Sequence, residues 1–392
     1  MAIDKEVPLR VGDIKLHNRN MVLAQIYASK HNGISQSALT KDSTLRAASV
    51  FRIFSSLEEE GLIMLKNEPK EVSKLKGRKP TLYTVNPDAL YLVGAELSYN
   101  TLEIGIFNFL LDRLAHVEYK FENQNMDELS QLMIELTEEQ IIAAGVPRDK
   151  VVGFGLASPG IIDVKNRVLL SYDRIEGYGD FPIGEVLASA LNMPVTVRNN
   201  TTVQSYYNYY HHDFGDSVFT VLLRHGINGA FINKGEMFLD SKGYSVDIAH
   251  MPISYGPGPK CSCGGEGCLQ AYLFNIEGEY DDEILLKLEG LLSTDLKRLD
   301  YITDQIVYYL TVLLRSVDRL INPSSYVILT KDKEIGSVIR NKLNKVMEQK
   351  VSRYSSDLQK PIYNTTFNSL NVQKGIAELV LRDYFNDEMA VL

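Results

Sequence analysis

The three cysteines of this chain lie within eight positions of one another, and that clustering constrains the fold more than any other feature. Cys261, Cys263 and Cys268 stand in a C-x-C-x4-C arrangement inside CSCGGEGC, a short way after His250. A disulfide framework needs pairs spread along the chain, so three thiols in one loop point instead to a metal. Three thiolates and an imidazole make a closed tetrahedral set suited to zinc, and Gly264, Gly265 and Gly267 let a short loop fold around the ion. With no position left for water, such a site is structural. It would hold the loop of His250 against the loop of the cysteines.

At 392 residues the chain is too long for one typical domain. No stretch approaches the roughly 18 to 20 apolar residues needed to cross a bilayer, and the start MAIDKEVPLR lacks the basic and apolar regions of a secretion signal. The expectation is a soluble, cytoplasmic protein with no membrane partner. The net charge of -9 argues against nucleic acid, but the average hides a split. Residues 1–90 carry 14 Lys and Arg against 10 Asp and Glu, leaving 27 against 40 for the remainder. A basic head on an acidic body suggests that one module touches phosphate while the other does something else.

The head carries a matching pattern. Apolar residues at Met21, Val22, Ile26 and Tyr27 recur at helical spacing between Leu16 and Lys30, and His31-Asn32-Gly33 stops that helix. Ser35 is a natural cap for a short second helix, SQSALTKD, and Ser43 or Thr44 for a third from about Leu45 to Glu60. Two short helices and a longer one form a helix-turn-helix unit. On the third, Leu45, Val50, Ile53, Phe54 and Leu57 face inward, leaving Arg46, Ala47, Ser49 and Arg52 for a DNA groove. The runs LIML and TLYTV read as two strands joined by the lysine-rich KNEPKEVSKLKGRKP, a wing in which Gly77 allows a tight turn. Arg78 and Lys79 can there follow phosphates or enter a narrow minor groove.

Past Asn86-Pro87-Asp88 the character changes, so the expected boundaries are a winged helix-turn-helix domain at 1–88 and a second domain at 89–392. LYLVGAEL, LEIGIFNF and LAHVEYKF read as a strand meander, DELSQLMIELTEEQIIAA as an amphipathic helix, and KVVGFGLASPGIID as a buried strand entering a turn. A helix at Ile183 to Leu191, a strand PVTVRN, a helix from Thr201, a hairpin over FTVLLRHGINGAFINKGEMF and a strand SYVILT continue the alternation. The body is α/β.

These residues resemble the ROK family, which groups bacterial sugar-responsive repressors with sugar kinases. DIAHMPISYGPGPKCSCGGEGCLQ (Asp247 to Gln270) looks like the family's zinc and sugar signature, ASPGIID its first active-site turn, and VRNN (Val197 to Asn200) its catalytic strand end. A helix-turn-helix followed by GRKP and NPDALYLVGAEL is similar to the repressor branch. The resemblance implies an actin-like, ribonuclease H-like two-lobed body with a sugar in its cleft, a double-stranded DNA operator, and a sugar or sugar-derivative effector.

Kinase chemistry needs a carboxylate to take the proton of the sugar hydroxyl and a glycine-rich loop to hold the phosphates. Where the family kinases carry the catalytic Asp, this chain has Asn200, whose amide is no base near neutral pH. The phosphate loop reads RHGINGA, with Arg224, His225 and Asn228 in place of small residues. Thr330-Lys331 replaces a glycine pair, and GAELSYN lacks a Gly-Gly-Thr turn. By the same matching, Asn199 and His250 would hydrogen-bond sugar hydroxyls above a turn shaped by Gly160. Asp247 and Gln270 stand where glutamates are usual, and Asn200 completes the sugar set.

The reading is a catalytically inactive, sugar-responsive DNA-binding regulator, a repressor by preference. Because one winged module reads only a half-site, it would work as a homodimer or tetramer. Two other readings stay open. One is a carbohydrate kinase that acquired a DNA-binding head; the other is an adaptor binding a protein through Tyr206, Tyr207, Tyr209 and Tyr210.

Overall fold

The computed structural model describes residues 11–66, 80–172, 174–254, 256–348 and 360–386. Its amino-terminal part holds α1 (Val11–Ala28), α2 (Gln36–Asp42) and α3 (Ala47–Glu59), then the antiparallel pair β1 (Ile63–Leu65) and β2 (Tyr83–Val85). Ser35 caps α2, its hydroxyl accepting from the Ala38 amide at 3.1 Å. The start of α3 departs from expectation: Arg46 stands at its N-cap and makes no side-chain cap bond. Ser43 belongs to the end of α2, where its amide donates to the Leu39 carbonyl and its hydroxyl accepts from the Leu45 amide at 3.4 Å. The turn between the helices thus occupies the polar residue that was expected to start α3. Val50, Phe54 and Leu57 recur every three or four residues and are buried, so the inner face of α3 packs on the other helices. The expected wing loop, with Arg78 and Lys79, lies outside the described residues.

The first lobe runs β3 (Tyr91–Leu97), β4 (Thr101–Asn108), β5 (Arg113–Lys120), α4 (Met126–Ala144), β6 (Val151–Ser158), β7 (Ile161–Asp163), β8 (Val168–Ser171), α5 (Ile183–Leu191), β9 (Val195–Asn199) and α6 (Asn200–His211). Its five-stranded sheet has the order β5-β4-β3-β6-β9, the first three strands antiparallel and β6 and β9 parallel to β3. The second lobe runs β10 (Ser217–Leu223), β11 (Ile227–Asn233), β12 (Glu236–Met237), α7 (Leu269–Phe274), α8 (Ile284–Thr294), α9 (Leu296–Leu320), β13 (Ser325–Thr330), α10 (Lys333–Met347) and β14 (Ile362–Thr366). Its sheet has the order β12-β11-β10-β13-β14, again a meander extended by two parallel strands. One topology used twice is the duplicated architecture expected of an actin-like body.

Each lobe has its own core. Strand faces of β3, β4 and β6 pack against Leu129 and Met133 of α4 and Leu187 of α5 in the first. In the second, α9 presents Leu299, Ile302, Ile306, Leu310, Leu313 and Val317 at helical spacing to Phe219, Tyr326 and Ile328. The last helix, α11 (Ser369–Phe385), crosses back from β14 to the first lobe and lies on β3, β6 and β9. The approach is close enough that a Cβ on Gly94 would come within 2.4 Å of the Gln373 carbonyl oxygen, so only glycine fits there. The core of the head runs without a break into this layer: Val22, Ile26, Tyr27, Leu39 and Phe54 join Leu92, Phe107, Phe109, Ala377 and Val380 in one cluster. Among the described residues no helix is long and apolar enough to cross a membrane.

Candidate functional site

Three groups of residues stand out, one on the head and two in the body. On the head, Arg46, Ala47, Ser49 and Arg52 are all exposed on the outer side of α3, with Ala48 beside them. Among the described residues nothing in the body covers that face.

The second group is the cysteine cluster. One ligand atom each from His250, Cys261, Cys263 and Cys268 can be chosen so that all lie within 4.8 Å of one another. His250 Nδ1 is 3.4 Å from Cys261 Sγ, and the Sγ atoms of Cys263 and Cys268 are 3.7 Å apart. Bond lengths of about 2.3 Å to sulfur and 2.0 to 2.1 Å to nitrogen place tetrahedral zinc ligands roughly 3.5 to 3.8 Å from one another. The separations therefore fit a zinc ion. A short knuckle builds the cluster: the Cys261 amide donates to the Gly265 carbonyl at 2.9 Å and the Gly264 amide to the Cys261 carbonyl at 3.0 Å. Cys268 stands at the N-cap of α7, whose Leu269 and Leu273 are sunk in the core of the second lobe. Burial and the neighbouring thiols push Cys268 up to about 12, while the Gly265 backbone holds Cys263 below the usual thiol range. Three thiols this close are held together as thiolates only by a cation that offsets their charge.

The third group lies between the lobes, at the carboxyl ends of β6 and β9, where ligands of open α/β sheets bind. Asn199 ends β9 and caps α6: its Oδ1 accepts from the Thr201 and Thr202 amides at 2.9 and 3.3 Å, and its Nδ2 donates to the Gly160 carbonyl at 2.9 Å. Gly160 has φ +74°, and a Cβ there would meet the Ser171 carbonyl oxygen at 2.3 Å, so the turn demands glycine. Asn200 follows, buried, as the first residue of α6. The Thr202 hydroxyl reaches Ser245 Oγ at 3.1 Å and ties this end of α6 to the loop of Asp247 and His250. There the Asp247 carboxylate accepts from the His250 amide at 3.2 Å. Gln270 donates its amide to the Ala249 carbonyl at 2.9 Å, and its side chain lies against Gly226. Asn199 is thus paired directly with Gly160, and Asp247 with His250.

Beyond these residues, at the place expected for nucleotide phosphates, side chains of the two lobes meet. Arg224 at the end of β10 is 3.8 Å from Glu96 at the end of β3, and its guanidinium lies 4.4 Å over the Phe367 ring. Arg174 pairs with Asp282 at 2.8 Å and stacks on Tyr99, which meets the His225 ring at 5.0 Å between centroids. Burial raises the Glu96 carboxyl to about 7, outweighing the pull of Ser369 and Arg224. Burial also lowers His225 to about 4, helped by Arg224, Arg174 and Lys331. Sequence reasoning missed Glu96, Tyr99, Arg174 and Asp282. Glu96 left a trace, as an ionisable residue at the end of an otherwise apolar strand run. The tyrosines of α6 are largely occupied within the fold: Tyr206 is buried in a cluster with Val372 and Ile376, and Tyr207 stacks on His211.

The chain has similar counterparts among known proteins. The ROK family profile matches residues 104–366. The xylose repressor of Bacillus subtilis strain 168 is 22% identical over 352 residues, covering 86% of this chain and 88% of the repressor. A crystal structure of a ROK family transcriptional regulator, described as a homolog of the E. coli MLC protein, superposes with a TM-score of 0.76 at 18% identity, covering 95% of this chain and 98% of that one. The ROK hexokinase of Thermus thermophilus superposes with a TM-score of 0.59 at 20% identity, over 76% of this chain and all of that one.

Proposed function

The chain belongs to the ROK family, and from that premise we propose that it is a sugar-responsive transcriptional repressor whose body binds a ligand without catalysing its conversion. The observation that carries the reading is the outer face of α3, where Arg46, Ala47, Ser49 and Arg52 are exposed on a helix otherwise anchored by its buried face. The head, residues 1–88, takes the DNA operator. Those four residues enter the major groove, and Arg78 and Lys79 follow the phosphates beside it.

The body, residues 89–392, takes a sugar or sugar derivative through Gly160, Asn199, Asn200, Asp247, His250 and Gln270. Asn199 keeps one amide hydrogen beyond its bond to Gly160, and His250 keeps Nε2 once Nδ1 faces the cysteines. His250, Cys261, Cys263 and Cys268 hold zinc, which supplies a cross-link and no reactive position. The place of a transferred phosphate is taken by Arg224 and Glu96, and Asn200 offers no base, so the body is not an enzyme. The molecule works in the cytoplasm as a homodimer or tetramer, since one module reads a half-site. Sugar binding shifts it between arrangements that do and do not fit both half-sites, a coupling of about 1 to 3 kcal/mol in typical systems.

The test is selection of DNA by the purified full-length protein from a random pool, followed by titration of the selected site with neutral and phosphorylated sugars. The expected outcome is a palindromic site released by at least one sugar. Failure to enrich any palindrome would overturn the reading.

A further inference from the structure

One large apolar side chain breaks the pattern of α3. Phe51 is 59% exposed, on a helix whose Val50, Phe54 and Leu57 are fully buried. At 3.6 residues per turn, Phe51 lies one turn after Ala47 and Ala48, one turn before Ser55, and next to Arg52. Ala47, Ala48 and Arg52 are exposed too. The ring therefore stands on the face already assigned to DNA, in the first half of the helix, the part of a recognition helix that contacts base edges.

The surroundings favour an apolar base contact. Two alanines one turn earlier let the helix backbone approach the groove floor, and the phenyl ring then projects beyond them towards the bases. Major-groove edges offer hydrogen-bond donors and acceptors with one apolar exception, the 5-methyl of thymine. A phenyl ring has no polar atom, so against guanine, cytosine or adenine edges it would strip water and return nothing. Against a thymine methyl it removes apolar surface on both sides from water.

Resting on the reading of the head as a DNA-binding module, we propose that Phe51 is a specificity-determining residue that selects thymine at one position of each half-site through the 5-methyl group. Arg52 beside it holds the helix to the duplex by charge; Phe51 contributes base choice and no charge.

The experiment uses the full-length protein, its Phe51→Ala variant and its Arg52→Ala variant. Random-pool selection gives the site for each, and binding is then measured on the selected duplex with thymine replaced by uracil, position by position. Uracil lacks only the methyl, so wild type should lose about fourfold in affinity per half-site at one symmetric position, the worth of one buried carbon. Phe51→Ala should bind thymine and uracil duplexes equally and lose the thymine preference in selection, with its salt dependence unchanged. Arg52→Ala should keep the uracil effect and show a shallower salt dependence. Because the ring is exposed, thermal unfolding of Phe51→Ala should match wild type, which separates a reading role from a folding role.

If Phe51→Ala keeps the thymine preference and the uracil effect, or if its main change is in oligomeric state, the assignment of Phe51 fails and the DNA-binding reading stands. If wild type selects no DNA, both fall together.

Discussion

The Lys30 ammonium stands 3.7 Å from the Glu378 carboxylate across the joint between α1 and α11, and the Tyr27 hydroxyl reaches the same oxygen at 3.4 Å. Tyr27 also stacks on Phe109 and meets Phe385, so the head is seated on the last helix by rings as well as charge. At its other end, α11 begins with Asn368, whose amide donates to Gln204 of α6 at 3.0 Å. The helix α6 is capped by Asn199, in the proposed sugar cleft. One helix thus touches the head, the first lobe and the helix capped by a proposed ligand residue. Such an element can carry a coupling only if ligand and DNA bias its position differently.

Glu378→Gln is therefore expected to reduce the response of DNA binding to sugar more than DNA affinity itself. The same change should cost about 2 kcal/mol in urea unfolding, because it leaves a largely buried ammonium without its partner. Burial already lowers Lys30 despite Glu378, which marks how poorly the site tolerates that charge alone. Lys30→Met combined with Glu378→Leu should recover the stability. Full sugar response in both variants would remove α11 from the pathway.

Metal analysis of the purified protein should find one zinc per chain. Cys263→Ser should lower stability by on the order of 4 kcal/mol, the scale of losing a structural metal. A chelator strong enough to strip zinc should lower the thermal midpoint of wild type and leave that of the variant unmoved.

Local chemistry was the legible part of this chain. The cysteine knuckle and the Ser35 cap could be read directly because their partners lie within a few residues, and the strand meanders because alternation reports burial. The cap of α3 was misplaced by two or three residues, because Ser43 could serve either helix and the turn took it. The sequence suggested Asn199 as a sugar residue and gave no sign that the same amide caps α6. The contact of Glu96 with Arg224 was hidden: no periodicity links the ends of β3 and β10, and only the closing of two lobes brings them together. Phe51 escaped for the opposite reason, as an apolar residue that the helical pattern assigns to neither face with certainty and that the packing leaves outside.

Glu96 sets a pH dependence of known sign. Its carboxyl is held near about 7 in the fold against an ordinary 4.5, so the folded state keeps a proton that the unfolded state has released. Stability should then fall as pH rises from about 4.5 to 7 and level off above, and the difference corresponds to on the order of 3 kcal/mol. His225 acts with the opposite sign: lowered to about 4, it destabilises as pH falls from about 6.5 through that value. Glu96→Gln isolates the first effect. It should be more stable than wild type at pH 8, nearly equal to it at pH 4.5, and both should show the same acid-side loss from His225. Parallel stability curves for the two proteins across that range would show that folding does not raise the Glu96 carboxyl.

Restoring a carboxylate should not restore catalysis. Asn200→Asp returns a group able to take a proton from a sugar hydroxyl, yet transfer also needs room and positive backbone donors for a triphosphate. Here Arg224 and Glu96 meet across that space, the His225 ring meets Tyr99 at a tilt, and Arg174 closes on Asp282. A nucleotide would have to part three contacts between the lobes before its phosphates could align with the sugar. Asn200→Asp is therefore expected to show no hexose phosphorylation with ATP in a coupled assay, and calorimetry should detect no ATP binding to it or to wild type. Adding Glu96→Gly and Arg224→Gly opens the space and is the variant in which weak nucleotide binding should first appear. Turnover by Asn200→Asp alone would mean that the contacts between the lobes yield easily and that the body remains one substitution from a kinase.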